Sequence, residues 1–147
     1  MPTRTTTATW TPVLTPSFTP SPTSTPSSTA DPCEDFDLGN FHRESNTVDW
    51  TISNDSSLTV LLVTVDIAWS PSDNPLYNIF LKGNVIWYGN DENSPAVIST
   101  WVGASDLRQI AGSSEAKIEF FFGLPAAASG YDLQITFDNG CTLSDIR

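Results

Sequence analysis

Few residues in this chain could do chemistry. His42 is the only histidine, and it stands beside Arg43 at what reads as a strand end. No motif supplies a serine or an acid to complete a Ser–His–acid set, so His42 reads as a surface residue. Cys33 and Cys141 are the only cysteines, and with one histidine they are too few for a zinc site. There is no Gly-rich phosphate loop. Carboxylates are plentiful, as glycoside hydrolysis would need, but a domain of this size has little room for a deep cleft. Ser72-Asp73-Asn74 and Asn90-Asp91-Glu92-Asn93 offer hard oxygen ligands for Ca²⁺. Neither has a known loop spacing, and both read as polar turns. Lys117 lies in an alternating stretch and reads as exposed, not as one half of a buried isopeptide pair. The expectation is no enzyme, no metal and no cofactor.

Two other sets of residues could bind something. Tyr77, Trp87, Tyr88 and Trp101 lie near polar loops, and β-sandwich modules stack sugars on exposed rings of this kind. Trp50 and Trp69 are in phase with aliphatic residues and read as core. Trp87 shares its parity with Val85, so a core place is open to it too. The second set is an N-terminal arm, Ala8 to Thr23. Its even positions are Ala8, Trp10, Pro12, Leu14, Pro16, Phe18, Pro20 and Pro22; its odd positions are hydroxyl residues except Val13. Extended, the arm has one apolar face and one hydroxyl face.

The prolines share the apolar parity, so one edge of the extended arm loses its N–H donors and the other keeps them. That is how proline is tolerated in a strand paired on one side only. Polyproline II is the competing conformation, and it would spread the apolar residues round all sides. Two readings stay open. The arm is a stiff Thr/Pro stalk with O-glycans on Thr9, Thr11, Thr15, Thr19 and Thr23. Or it docks through Trp10, Val13, Leu14 and Phe18 on another copy. The readings overlap, since one face can carry sugars while the other docks.

Composition narrows the setting. The chain has 147 residues and a formal net charge of −11, with only two Lys and four Arg. No basic patch exists to neutralise phosphates, which argues against nucleic acid and against anionic lipid. No apolar run is long enough for a membrane span. Met1-Pro2-Thr3-Arg4 leads into threonines and not into an apolar h-region, so no signal peptide is read. Export rests on the Thr/Ser/Pro composition alone. In an oxidising compartment the bracketing Cys33 and Cys141 are expected to pair; two unrelated buried thiols are the alternative. The Asn54-Asp55-Ser56 sequon is a single short match.

The elements that must position these residues are short strands. Residues 1–32 read as the arm and 33–147 as one domain, the usual size. Val48, Trp50 and Ile52 alternate with polar residues, as do Ala116, Ile118, Phe120 and Phe122, and Tyr131, Leu133, Ile135 and Phe137. Leu58 to Trp69 changes phase in the middle, which predicts either a β-bulge or burial on both faces. Lys82-Gly83-Asn84 and Asn139-Gly140 predict tight turns. Residues 103–112 read as one helical turn or an irregular crossover. No segment sustains a helical period. The pattern predicts an antiparallel β-sandwich.

The closing stretch Tyr131-Asp132-Leu133-Gln134-Ile135-Thr136-Phe137-Asp138-Asn139-Gly140-Cys141, with Cys33 at the other end, resembles Cys-bracketed immunoglobulin-like β-sandwich domains of exported bacterial proteins. Such domains often hang on Thr/Pro-rich tethers. The resemblance implies a cell-surface or extracellular setting and brings no catalytic residues with it. The sequence thus reads as a structural subunit whose partner is itself, in a homo-oligomer or filament, with covalent glycans. The alternative is a carbohydrate-binding sandwich on a stalk.

Overall fold

The computed structural model of the chain describes Met1 and residues 31–147. Alternation of side chains produces ten strands there: β1 (Phe36–Glu44), β2 (Thr47–Asn54), β3 (Val60–Ala68), β4 (Leu76–Leu81), β5 (Asn84–Asp91), β6 (Ala96–Ile98), β7 (Gln109–Ile110), β8 (Ser114–Phe122), β9 (Asp132–Phe137) and β10 (Thr142–Ile146). Residues 103–112, open between a helical turn and a crossover, give a 3-10 turn at Ser105–Arg108 followed by β7.

One sheet has the order β1-β2-β8-β4-β5. The other has β10-β9-β3-β6, with β7 also on β3. Every pairing is antiparallel. The chain makes β1 and β2 in the first sheet, crosses to β3, and returns for β4 and β5. It crosses again for β6 and β7, returns as β8, and ends with β9 and β10. Repeated crossing between two facing antiparallel sheets makes this an immunoglobulin-like sandwich. The inner faces meet through Val48, Trp50, Ile52, Ile118, Phe120 and Phe122 on one side, and Leu62, Val65, Ile67, Leu133, Ile135 and Phe137 on the other, all buried.

The phase change in Leu58–Trp69 is a bulge. The register of β3 on β9 slips between Leu62 and Thr64. Leu62 and Val65 both face the core, while Val63 is the extra residue and is exposed. Leu58 is exposed as well, because it precedes the strand. These two aliphatics therefore leave the core stripe that the sequence pattern puts them in. At the β4–β5 hairpin, Lys82 and Gly83 have φ of 52° and 76°. Two left-handed residues in a two-residue loop match the twist of the flanking strands, and glycine takes that conformation without a steric cost.

One side of β3 is interrupted. β6 pairs with Val65–Ile67 and β7 with Val60–Leu61, and the chain between them leaves the sheet. Side chains fill the break. The Trp101 indole N–H donates to the Val63 carbonyl at 2.9 Å. Arg108 donates to the Leu62 carbonyl, and its guanidinium lies 5.3 Å from the Trp101 ring centroid. Acceptors that a neighbouring strand would otherwise take are thereby occupied.

Cys33 and Cys141 form a disulfide across 108 residues. It joins the lead-in of β1, the outer strand of one sheet, to the lead-in of β10, the outer strand of the other. The Thr142 N–H also donates to Cys33 Sγ at 3.1 Å. The reading as two unrelated thiols is excluded.

Candidate functional site

In an antiparallel sheet, directly opposed residues share a face, so the registers trace rows across the first sheet. One row runs His42, Asp49, Glu119, Phe80, Val85. The next runs Glu44, Thr47, Phe121, Asn78, Tyr88. These rows lie on the outer face, because the core residues Val48, Trp50, Ile118 and Phe120 take the alternate positions. The face divides in two. Toward β1 it is charged; toward β5 it is aromatic and aliphatic.

In the charged half, the Asp49 carboxylate is buried beneath His42 and Lys117. His42 Nδ1 lies 3.2 Å from its Oδ2 and Lys117 Nζ 3.1 Å, while Lys117 also reaches Glu119 at 2.9 Å. The hydrogen bond to Glu119 and then that to Asp49 hold the Lys117 ammonium above its ordinary pKa, against the opposing effect of burial. Lys117 is half-exposed and shared between two carboxylates, and its short approach to Asp49 is an ion pair. Asp49 is the one hydrogen-bond partner of His42 among the described residues.

Burial holds the Tyr131 phenol above its ordinary value, opposed by the Ala127 backbone and by Arg43. Tyr131 and Lys117 therefore both keep their protons more tightly when folded. Their contribution to stability is complete below the unfolded pKa values of 10.0 and 10.5 and is lost as pH rises through the folded ones. The melting temperature is expected to fall above about pH 10 on this account. In an ultraviolet titration Tyr131 should ionise above the ordinary tyrosine value. Tyr131→Phe should remove that late step; if it removes an early one instead, the assignment is wrong.

The aromatic half contains Tyr77, Phe80, Val85, Tyr88 and Phe121. Tyr88 is 65% exposed, Tyr77 37% and Val85 38%, and the Tyr77 and Phe121 rings lie 6.4 Å apart. Of the four rings singled out for sugar contact, Tyr77 and Tyr88 come to this face. Trp87 and Trp101 do not; both are half-buried and pack against the core. A bulge in β5 is the reason for Trp87. The register slips so that Trp87 opposes the core residue Ile79 while Val85 opposes Phe80. Trp87 and Val85 therefore do not share a face, although their spacing says that they should. The Trp87 ring lies over Gly89, where a Cβ would come within 2.6 Å of it.

Phe80, Val85 and Phe121 are the residues that sequence reasoning missed. Phe121 carries a signal, being an aromatic on the polar parity of β8. Nothing local marks Phe80, since a bulge at Tyr77 in β4 and two in the facing β5 obscure its phase.

The remaining candidates are bound up in structure. The Asn74 carboxamide is buried, donating to the Leu124 carbonyl and accepting from the Leu124 N–H, so it clamps two loops together. Asp91 Oδ1 accepts from the Asn93 backbone, and Asn90 donates to Glu92. No cluster of three or more His, Cys, Asp or Glu side chains that could hold a metal occurs among the described residues. Asn54 of the sequon is fully buried, its amide donating to the carbonyls of Leu58, Ile110 and Ala111. The arm residues Trp10, Val13, Leu14 and Phe18, and Thr9, Thr11, Thr15, Thr19 and Thr23, lie outside the described residues.

No protein-family model matches the chain, and no curated protein matches its sequence. Among solved structures it is similar to the archaellum periplasmic stator protein complex of FlaF and FlaG from Sulfolobus acidocaldarius. That likeness has 19% identity and a TM-score of 0.40 over 76% of this chain and 86% of that one. The archaellum periplasmic stator protein FlaG from the same organism gives 19% and 0.38 over 75% and 97%. An uncharacterized protein from Nocardia farcinica with an immunoglobulin-like fold gives 12% and 0.37 over 74% and 80%. These are likenesses of fold at low identity, and no residue role is taken from them. No helix among the described residues is long and apolar enough to cross a membrane.

Proposed function

We propose that this chain is a non-enzymatic extracellular structural subunit that assembles head to tail into a filament, the arm of one copy docking on the sandwich of the next. The observation that carries the reading is the arm's alternation, with Trp10, Leu14 and Phe18 on one face and every proline on the same parity. A plain spacer has no need of such a face. The disulfide at Cys33 fixes the root of the arm to the sandwich, and such bonds persist in oxidising, extracytoplasmic settings.

Charge favours an arm-to-domain contact over a domain-to-domain one. All seventeen acidic residues lie at position 31 or later, while the arm before it has Arg4 as its only charged side chain. Two acidic sandwiches repel each other; an arm with one positive charge does not meet that repulsion. Head-to-tail contacts of this kind propagate when they do not close into a ring.

Energetics demand backbone pairing as well. Burying each of Trp10, Leu14 and Phe18 contributes roughly 1.5–3 kcal/mol, whereas ordering the backbone costs about 1–2 kcal/mol per residue. The prolines reduce that cost by restricting the free arm, and strand addition at a sheet edge supplies the remaining hydrogen bonds. The full chain bearing Trp10→Ser, Leu14→Ser and Phe18→Ser is expected to be a folded monomer by light scattering while the parent assembles. Equal assembly of variant and parent would reduce the arm to a stalk.

A further inference from the structure

We infer that the acceptor for the arm is the β5 border of the first sheet together with the outer aromatic patch of Tyr77, Phe80, Val85, Tyr88 and Phe121, and that its occupant is residues 8–23 of a second copy. The inference rests on the arm-docking reading above and names its site.

Three observations converge on this place. The patch is apolar on a molecule whose formal net charge is −11, and it spans the adjacent strands β8, β4 and β5, with Phe121 and Tyr88 both opposite Asn78 and Val85 opposite Phe80. It adjoins a free border: the Ile86 carbonyl accepts from the Val102 N–H, and beyond it Trp87–Asp91 has no second backbone partner among the described residues. A strand laid there would use the N–H donors of the arm's odd residues, the set that the prolines leave intact. Its Trp10, Leu14 and Phe18 could then continue the patch.

The third observation is where the arm begins. Cys33 precedes β1, at the opposite side of the same sheet. Four interstrand spacings separate β1 from β5, about 19 Å. Cys33 also lies at the other end of the strands: Phe36 is level with Asn54 and Ser114, while the patch is level with Phe121. Root and acceptor are therefore at diagonal corners. That placement suits donation to the next copy in a row, with residues 24–32 spanning at most about 32 Å as the link.

The test uses full chains in light scattering and sedimentation. Val85→Lys with Tyr88→Glu changes two exposed side chains, so the melting temperature should hold. Assembly should then require at least tenfold more protein than the parent. Tyr77→Lys, on the neighbouring strand, should weaken assembly in the same direction, and Ile146→Glu on β10 should leave it unchanged. Mixing the arm variant (Trp10→Ser, Leu14→Ser, Phe18→Ser) with Val85→Lys/Tyr88→Glu should give one-to-one dimers that grow no further, since each mixture has one working arm and one working patch. If the arm variant is monomeric but both patch variants assemble like the parent, the arm reading stands and this site is wrong. A parent that stays monomeric at every concentration, with its arm on its own patch or with sugars there instead, overturns the inference.

Discussion

Replacement of Trp50 by alanine should lower the stability of the sandwich by about 3–5 kcal/mol, the usual cost of truncating a buried tryptophan. Trp50 has no exposed surface. Its ring centroid lies 4.9 Å from that of Phe41, 5.7 Å from Phe120 and 6.2 Å from Tyr131. It also holds the sheets together by a polar bond, because its indole N–H, on β2, donates to Asp145 Oδ2, on β10, at 2.7 Å. Alanine leaves a cavity among three rings and removes one of the two donors to Asp145, the other being Arg147 Nε at 2.7 Å. Trp50→Phe separates the two effects. It keeps most of the packing and loses the N–H, so it should cost about 1–3 kcal/mol. Urea unfolding followed by near-ultraviolet circular dichroism measures both. A loss below about 1 kcal/mol for the alanine variant would show that the core collapses around the site and that Trp50 does not organise it.

Loss of the disulfide should be of similar size. The bond closes a loop of 108 residues, and in the chain-entropy model removal of such a constraint costs about 4–5 kcal/mol. A domain of this size has about 5–15 kcal/mol in all. The paired change Cys33→Ser and Cys141→Ser is the cleaner experiment, since Cys141 has no exposed surface and is shielded from reductant. The denaturation midpoint should fall sharply. An unchanged midpoint would mean that the Phe36–Phe137 stack, with centroids 5.7 Å apart, holds the β1 lead-in by itself.

Strands with one clean alternation were legible from the sequence. Ala116 to Phe122 and Tyr131 to Phe137 alternate because one face meets the core and the other does not, and that is a local property. The bulge in β3 was legible as a change of phase, although the pattern could not show that Val63 would be the residue left outside. Bulges in β4 and β5 defeated the same logic for Trp87, since an inserted residue turns equal spacing into opposite faces. The charged half of the outer face was partly legible in Lys117, which alternation placed in solvent. Its partner Asp49 comes from β2, and only the pairing of β2 with β8 brings them together. That pairing joins segments distant in the chain, so no local pattern contains it. Tyr77 was legible as a ring near a polar loop and Phe121 carried a signal in its parity, but that these two lie together with Phe80 depends on the pairing of β4 with β8 and was illegible for the same reason.

The plugged break alongside β3 bears on the topology of any polymer. With Trp101 and Arg108 occupying the carbonyls there, a further strand has little to pair with along that side of β3. On the arm-docking proposal, a subunit with one donor and one acceptor is bivalent. Bivalent units join into threads, whereas a third open binding locus would let threads branch into a gel.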